Sequence, residues 1–347
     1  MKYLGITMGD PAGIGPEISL KVLEKNKEYR ECSIIYGSIK ILEYYKEKLE
    51  LSNIKFNIIK NSKEFKKGYI NVIQVFDLDI KDICIGKVSG LCGEASYRYI
   101  ERAIQDALQK EIAIIVTAPI NKEALNKGGY HYEGHTEIFA KLTNTKKYAM
   151  MLWSEKLSVI HVSTHCSLQE ACKKVTKDRV FTVIDLARKY LQQLGIKNPR
   201  IAVAGLNPHS GEAGLFGTEE IEHIIPAINQ AQKYGWEVEG PIPPDTVFLK
   251  AYKKEYDIVV AMYHDQGHIP IKLLAFDEGV NVTLGLPIIR TSVDHGTAFD
   301  IAGKGIANEK SILYALDLGK KFFLKIKGIR YERNKKRNQC SYYKQKR

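Results

Sequence analysis

The strongest constraint on this chain is an alternation along its length of short β-branched runs and longer amphipathic stretches. Residues 33–36 and 113–116 have the length and composition of buried strands, and residues 89–110 have a helical pattern. Strands that alternate with helices are typical of α/β proteins with a mostly parallel sheet. Because 347 residues are too many for one ordinary core, we predict a two-lobed α/β protein.

Polar loops follow several of the predicted strands. We predict strands at residues 3–8, 33–36, 70–75, 113–116, 157–162, 201–205, 258–262 and 280–284, and helices at 16–26, 89–110, 175–194 and 218–234. The segments that follow strands include MGDPAGIGPE, TAPINKE, STHCSL, GLNPHSGEAG, MYHDQGH and TLGLPIIRTSVDHG. Ligands of open α/β sheets bind outside the carboxyl ends of strands. We therefore expect these loops to meet at one edge of the sheet and to form one active site.

The charge distribution argues against a nucleic-acid-binding domain. Lys and Arg number 52 and Asp and Glu number 40, so the net charge is +12. Residues 320–347 hold twelve basic side chains and one acid, and the rest of the chain therefore carries a net charge of only +1. We predict a near-neutral body with a basic, flexible tail at residues 329–347. Binding of RNA or anionic lipid by this tail is the alternative.

The sequence predicts a cytoplasmic globular protein. It opens on MKYLGITMGDPAG, which lacks the apolar run of a signal peptide, and it has no run of about 18 apolar residues. The six cysteines form no CxxC pair, which argues against a zinc ribbon.

Five of the nine histidines lie in the polar loops, namely His135, His165, His209, His264 and His295. Neutral imidazole is a good ligand for zinc and neighbouring transition metals, and three protein ligands leave a position open for substrate. His165, His209 and His264 follow three different predicted strands, as a metal site built from strand ends requires. For any one of them, a purely structural histidine is an equally good interpretation.

Two further groups indicate anion and nucleotide binding. Lys272, Asn281 and Arg290 lie in or beside Gly/Pro-rich stretches near the predicted strand at 280–284, and two cations with an amide suit a phosphate or carboxylate. Surface charges are the alternative. Residues 294–305, DHGTAFDIAGKG, combine glycines with a hydroxyl and carboxylates, which suits a nucleotide. The segment GDPAGIGPE does not have the GxGxxG spacing of a Rossmann fingerprint.

Six motifs in order resemble the 4-hydroxythreonine-4-phosphate dehydrogenase family: GITMGDPAGIGPEI, GHTE, STHCSL, NPHSGEAGLFGTEE, MYHDQGHIPIK and VNVTLGLPIIRTSVDHGTAFDIAGKG. The last motif also looks like the cofactor loop of isopropylmalate and isocitrate dehydrogenases. The resemblance implies a two-lobed α/β/α sandwich of the isopropylmalate dehydrogenase-like type, with the active site in the inter-lobe cleft. We expect one lobe at residues 1–125 and 285–328 and the other at 126–284.

The resemblance also assigns roles to individual residues. It implies that His165, His209 and His264 bind a divalent zinc, magnesium or cobalt ion. Substrate-binding residues would be His135, Thr136, Lys272, Asn281 and Arg290, and cofactor-binding residues would be Asp294, His295, Gly296, Thr297 and Asp300. The resemblance does not identify the catalytic base, for which the candidates are Asp245, Asp265 and Lys272.

The implied reaction is an NAD(P)-dependent, metal-assisted oxidation of 4-phosphooxy-L-threonine. The product, 2-amino-3-oxo-4-phosphooxybutanoate, then loses CO₂ to give 3-amino-2-oxopropyl phosphate in pyridoxine 5'-phosphate biosynthesis. The resemblance also implies a homodimer with shared active sites. A related dehydrogenase of threonate or erythronate 4-phosphate is the close alternative, and an acyltransferase of related architecture is a more distant one.

Overall fold

The structure, a computed structural model, describes residues 3–276 and 278–328. The predicted basic tail at 329–347 lies outside these residues. Twelve strands of the described chain form one sheet in the order β3-β4-β2-β1-β5-β12-β11-β6-β7-β10-β8-β9. The strands are β1 (Tyr3–Thr7), β2 (Ser33–Gly37), β3 (Phe56–Ile59), β4 (Ile70–Gln74), β5 (Ile112–Thr117), β6 (Ala149–Trp153), β7 (Ser158–His161), β8 (Ile201–Ala204), β9 (Val238–Ile242), β10 (Ile258–Ala261), β11 (Val280–Leu284) and β12 (Ile289–Val293).

Helices connect most of these strands. They are α1 (Gly15–Lys25), α2 (Lys27–Arg30), α3 (Ile39–Lys48), α4 (Gly90–Leu108), α5 (Lys122–Lys127), α6 (His135–Leu142), α7 (Leu168–Lys174), α8 (Lys177–Gln193), α9 (Ile225–Lys233), α10 (Pro244–Tyr252), α11 (His264–Ala275) and α12 (Lys310–Ile326). The predicted helix at 218–234 is a π-helical turn, Glu220–Ile224, followed by α9. No helix of the described residues is long and apolar enough to cross a membrane.

All eight predicted strands are confirmed, to within one residue at most ends, but β3, β6, β9 and β12 were missed. The sequence of β12 is IRTSV, with a buried arginine near its start, and β9 is VEGPI, which contains both glycine and proline. These residue types are unfavourable or unusual inside strands, so local pattern does not identify either segment.

Alternate residues of the strands face different helical layers. On β10, Ile258 and Val260 join the core that includes α8, whereas Val259 and Ala261 pack with Ile271 of α11. Successive side chains of a strand point to opposite faces, so both faces of the sheet are covered by helices. The predicted α/β/α layering is confirmed.

The direction of the strands reverses near the middle of the sheet. From β3 to β12 the neighbouring strands are parallel, but β11 is antiparallel to both β12 and β6, and β6 is antiparallel to β7. The strands β7, β10, β8 and β9 therefore run opposite to β1 and β5. The expectation that all polar loops follow one edge of the sheet is wrong, because it does not include the three antiparallel pairings, of β12 with β11, β11 with β6 and β6 with β7. The predicted lobe boundaries stay a prediction, since the sheet is continuous between the two halves.

Candidate active site

The loop between β1 and α1 supports the predicted cofactor loop. The N–H of Ile14 donates to the carbonyl of Thr297 over 3.1 Å. A Cβ on Gly13 would lie 2.9 Å from the Cβ of Thr297, so only glycine allows this approach. Thr297 is buried, whereas Asp300 is exposed and Gly296 has open space where a Cβ would point. The ring of His295 meets the carbonyl of Gly296 at 3.0 Å.

Arg290 is the central residue of a buried polar pocket. Its side chain is 2% exposed, and its Nη1 donates to Asn281 Oδ1 over 3.2 Å and to Thr283 Oγ1 over 3.0 Å. Its Nη2 donates to Thr117 Oγ1 over 2.9 Å, and its Nε is buried without a partner. These acceptors are neutral, and burial lowers the pKa of the guanidinium to about 9. Among the described residues, no carboxylate forms an ion pair with this cation. We name Arg290 with these three partners the arginine pocket.

The start of α6 lies against the arginine pocket. Thr136 Oγ1 is 3.3 Å from Thr283 Oγ1, and the Nε2 atom of His135 is buried without a partner. Burial and the nearby charge of Arg290 hold the pKa of His135 well below its ordinary value, so the ring is neutral. The first N–H groups of a helix have no partner within the helix and favour an anion. Four of the five predicted substrate-binding side chains therefore meet here, namely His135, Thr136, Asn281 and Arg290.

Two of the three predicted metal ligands are close together. The ring centroids of His165 and His264 are 5.8 Å apart. Burial, followed by the charge of Lys122, lowers the pKa of His165 to about 4, which keeps the ring in the neutral form that a metal ion requires. The Nδ1 atom of His264 lies 2.6 Å from Asp265 Oδ1, so Nε2 is the ring nitrogen that can bind a metal ion.

The third predicted ligand, His209, does not complete this group within one chain. Its ring nitrogens and those of His165 and His264 do not all lie within 4.8 Å of one another, although all three residues are described. His209 lies in a turn, Pro208–Gly214, in which five successive residues are left-handed, including His209 at φ 51°. Left-handed conformation costs non-glycine residues roughly 1–2 kcal/mol each, and such strain is typical of functional loops.

A different group of potential ligands does converge within the described chain. Carboxylate oxygens of Glu133 and Glu137 and a nitrogen of His165 all lie within 4.8 Å of one another. Burial raises the pKa of Glu137, whose Oε2 is buried without a partner. A cavity of about 410 Å³ beside this group is lined by Lys122, Asn126, His131, Tyr132, Glu133 and His165. Glu133, Glu137 and Lys122 are not among the predicted site residues. Glu137 nevertheless belongs to the quoted segment GHTE, and Lys122 belongs to the quoted segment TAPINKE.

The remaining predicted residues lie apart from the arginine pocket. Lys272 Nζ donates to the carbonyl of Asp294 over 2.8 Å and forms a 2.6 Å ion pair with its carboxylate. Asp245 is exposed in the first turn of α10, a helix that packs against the His209 turn. His268, for which the motifs predict no role, stacks on His264 at 3.6 Å between ring centroids, and its Nδ1 contacts the carbonyl of His264.

Comparison with known proteins identifies the family. Residues 29–319 match the family model described as pyridoxal phosphate biosynthetic protein PdxA. The chain is 47% identical over 319 residues to a D-threonate 4-phosphate dehydrogenase of Pectobacterium atrosepticum, covering 91% of this chain and 98% of that protein. It is 48% identical over 319 residues to the D-threonate 4-phosphate dehydrogenase of Salmonella typhimurium, with the same coverage.

A solved structure agrees with this assignment. The crystal structure of 4-hydroxythreonine-4-phosphate dehydrogenase from Klebsiella pneumoniae superposes with a TM-score of 0.82 at 46% identity, covering 93% of this chain and all of that chain. The names of these relatives agree on a phosphorylated four-carbon substrate and differ on which one. The chain therefore belongs to the PdxA family of pyridoxal phosphate biosynthetic proteins and is an oxidoreductase of the dehydrogenase type.

Proposed function

We propose that this enzyme oxidises the C3 hydroxyl of D-threonate 4-phosphate with NAD(P)⁺, with the help of a divalent metal ion. The product is a β-keto acid, which loses CO₂ readily. The observation that carries the proposal is Arg290, a buried cation among neutral acceptors. Glu137 acts on this cation from beyond ion-pair distance. A buried charge without a direct ionic partner is costly, so such a site favours a bound anion.

The arginine pocket and the start of α6 suit the phosphate. Thr136 and the first N–H groups of α6 supply neutral donors. The unpartnered Nε2 of the neutral His135 and Nε of the cationic Arg290 are two further nitrogens that can donate to the phosphate. Binding energy at this remote group orients the rest of the substrate, so that C3 lies near His165 and His264.

The histidines and Asp265 suit a divalent metal. Neutral imidazoles are the required form, and Asp265 is placed to fix the tautomer of His264. When bound, zinc, magnesium or cobalt would lower the pKa of the substrate hydroxyl and polarise the ketone that forms. We assign Asp265 an orienting role for this reason. The pH profiles of Lys272→Met and Asp245→Asn variants distinguish the two other base candidates.

We also propose a homodimer that completes the metal site. The ring nitrogens of His165, His209 and His264 do not all lie within 4.8 Å of one another in one chain, as expected if a second copy supplies one of the ligands. The exposed face of α11 carries Ile269 and Leu273, of which Leu273 is 82% exposed, and the exposed Phe276 directly follows the helix. Leu215 and Phe216 follow the His209 turn and are also exposed. Apolar side chains that flank a metal-ligand loop are suited to contact between copies.

The substrate is tested with the metal-loaded protein and each nucleotide, by following the absorbance of the reduced cofactor. We expect the highest kcat/KM with D-threonate 4-phosphate. The second candidate, 4-phosphooxy-L-threonine, differs at C2, where an ammonium replaces a hydroxyl, and the name of the Klebsiella pneumoniae relative favours it. Activity with neither compound would contradict the proposed function.

A further inference from the structure

A fully buried carboxylate lies beneath the His209 turn. Glu220 is 1% exposed, and its Oε1 accepts the backbone N–H groups of Leu206 over 2.7 Å and of Asn207 over 2.8 Å. Its Oε2 accepts Asn207 Nδ2 over 2.9 Å. The three bonds reach the two residues just before the turn, across thirteen or fourteen positions of sequence.

The turn needs an external support because its own backbone does not favour the observed shape. His209, Ser210, Glu212 and Ala213 are left-handed non-glycine residues. A Cβ on Gly211 would lie 2.8 Å from Glu220 Oε2, so the turn is packed directly on this carboxylate. Strained conformations persist only where the surroundings fix them.

The pattern of donors requires a carboxylate at this position rather than an amide. Asn207 Nδ2 donates to Glu220 and also to Glu219 Oε2, over 2.8 Å. A Glu220→Gln side chain could still accept the two backbone N–H groups, but its amide would face Asn207 Nδ2, donor against donor. Reversal of the Asn207 amide would not help, because its oxygen would then face the carboxylate of Glu219.

We infer that Glu220 is a positioning residue, which holds the His209 turn in its left-handed shape and so fixes where His209 can bind the metal. The inference rests on the proposed role of His209 as a ligand. Substitution of groups that orient metal ligands typically lowers metal affinity by about 10–100-fold.

The test titrates the full-length protein with Co²⁺, whose visible absorption reports the ligand geometry, and measures hydrogen exchange over residues 206–217. We expect Glu220→Gln to lower Co²⁺ affinity by about tenfold or more, to change the visible spectrum and to speed exchange in the turn. Glu219→Gln is the matched control: it removes the charge of the neighbouring carboxylate, its amide oxygen can still accept from Asn207, and it leaves the backbone bonds, so its Co²⁺ affinity should stay near that of the wild type.

The double variant Glu219→Gln/Glu220→Gln gives a rescue that a merely structural role does not predict. With both positions neutral, the Asn207 amide can reverse and accept from two amide groups, so affinity and exchange should return toward wild-type values. If Glu220→Gln is too unstable to titrate, Asn207→Ala removes only the side-chain donor and should show a smaller change in the same direction.

The outcomes separate this inference from the proposed function. Wild-type Co²⁺ affinity and exchange in Glu220→Gln, while His209→Ala loses affinity, would overturn the positioning role. Wild-type affinity in His209→Ala would instead overturn the metal role of His209, and the exchange measurement would still decide whether Glu220 holds the turn.

Discussion

The arginine pocket and the three predicted metal ligands differ in how much of each site one chain brings together. We call the three ligands, His165, His209 and His264, the histidine group. Arg290 has hydrogen bonds to Asn281, Thr283 and Thr117, on β11 and β5, the two strands that flank β12. The histidine group has two members near each other and a third, His209, on a separate turn. Neighbouring strands of one sheet are rigidly related, whereas loops beyond the ends of strands are not.

This difference bears on how the two ends of the substrate would be bound. If the proposed dimer completes the metal site, the phosphate end of the substrate is recognised by a pocket that one chain forms by itself, and the reacting end by ligands from two copies. A change in the pocket should therefore affect binding in each chain alone, and a change in the histidines should depend on the partner.

The largest expected effect is that of His264→Ala. Loss of one of three ligands should remove most bound metal and lower kcat/KM by roughly 10³-fold or more, because hydroxyl activation depends on the ion. Metal content by elemental analysis and the rate of cofactor reduction measure this. Full metal content in the variant would show that His264 is not a ligand.

Mixing of two inactive variants tests whether the histidines are shared. If His209 comes from the partner, His209→Ala mixed with His264→Ala gives mixed dimers with one intact site, and about a quarter of wild-type activity should return after subunit exchange. The control pair, Arg290→Ala with His135→Ala, should show no recovery, because both residues belong to the pocket of one chain. Recovery of activity in the control pair and not in the histidine pair would show that the substrate pocket, and not the metal site, is shared between chains.

Arg290→Ala should weaken substrate binding by about 2–4 kcal/mol, as for the loss of one partner of a buried charge pair. Affinity for NAD(P) should change little, since the cofactor loop begins only at Asp294. Calorimetric titration with substrate and with nucleotide separates the two. An unchanged kcat/KM would show that the arginine pocket does not bind the phosphate.

The smallest expected effect concerns stability without ligand. Arg290→Met replaces a buried, unpaired charge by an apolar side chain of similar length, so the ligand-free protein should be more stable by about 1 kcal/mol. Thermal unfolding with and without inorganic phosphate is the measurement. We expect phosphate to raise the Tm of the wild type and not that of the variant; a large loss of stability would indicate that the hydrogen bonds of Arg290 outweigh its burial cost.

The sequence predicted the parts of the fold that have a local cause. Strands such as β5 and β10 are continuous apolar runs, and their identification needs no knowledge of neighbours. In contrast, β12 is recognisable as a strand only from its pairing with β5 and β11, and the antiparallel steps at β6 and β11 depend on the whole sheet.

The same limit applies to the candidate site. Motifs singled out His135, Thr136, Asn281 and Arg290, and the structure brings these four together. Local sequence could not show that Lys272 pairs with Asp294, because that contact joins a helix and a loop 22 residues apart. Nor could it show that His165, His209 and His264 do not all meet within 4.8 Å in one chain. The position of a residue after a strand predicts the edge of the sheet at which it lies, and does not predict its distance from another residue.

The helix α11 sets a spacing that the sequence of this protein must keep. His264 is its first residue, His268 stacks on it one turn later, and Lys272 reaches Asp294 after a second turn. Insertion of a single residue between positions 264 and 272 would rotate the second part of the helix by about 100° and part these contacts. We therefore expect related proteins to have no insertions or deletions in this segment. The pattern His-x₃-His-x₃-Lys after a buried strand can then be used to find the same arrangement in other sequences.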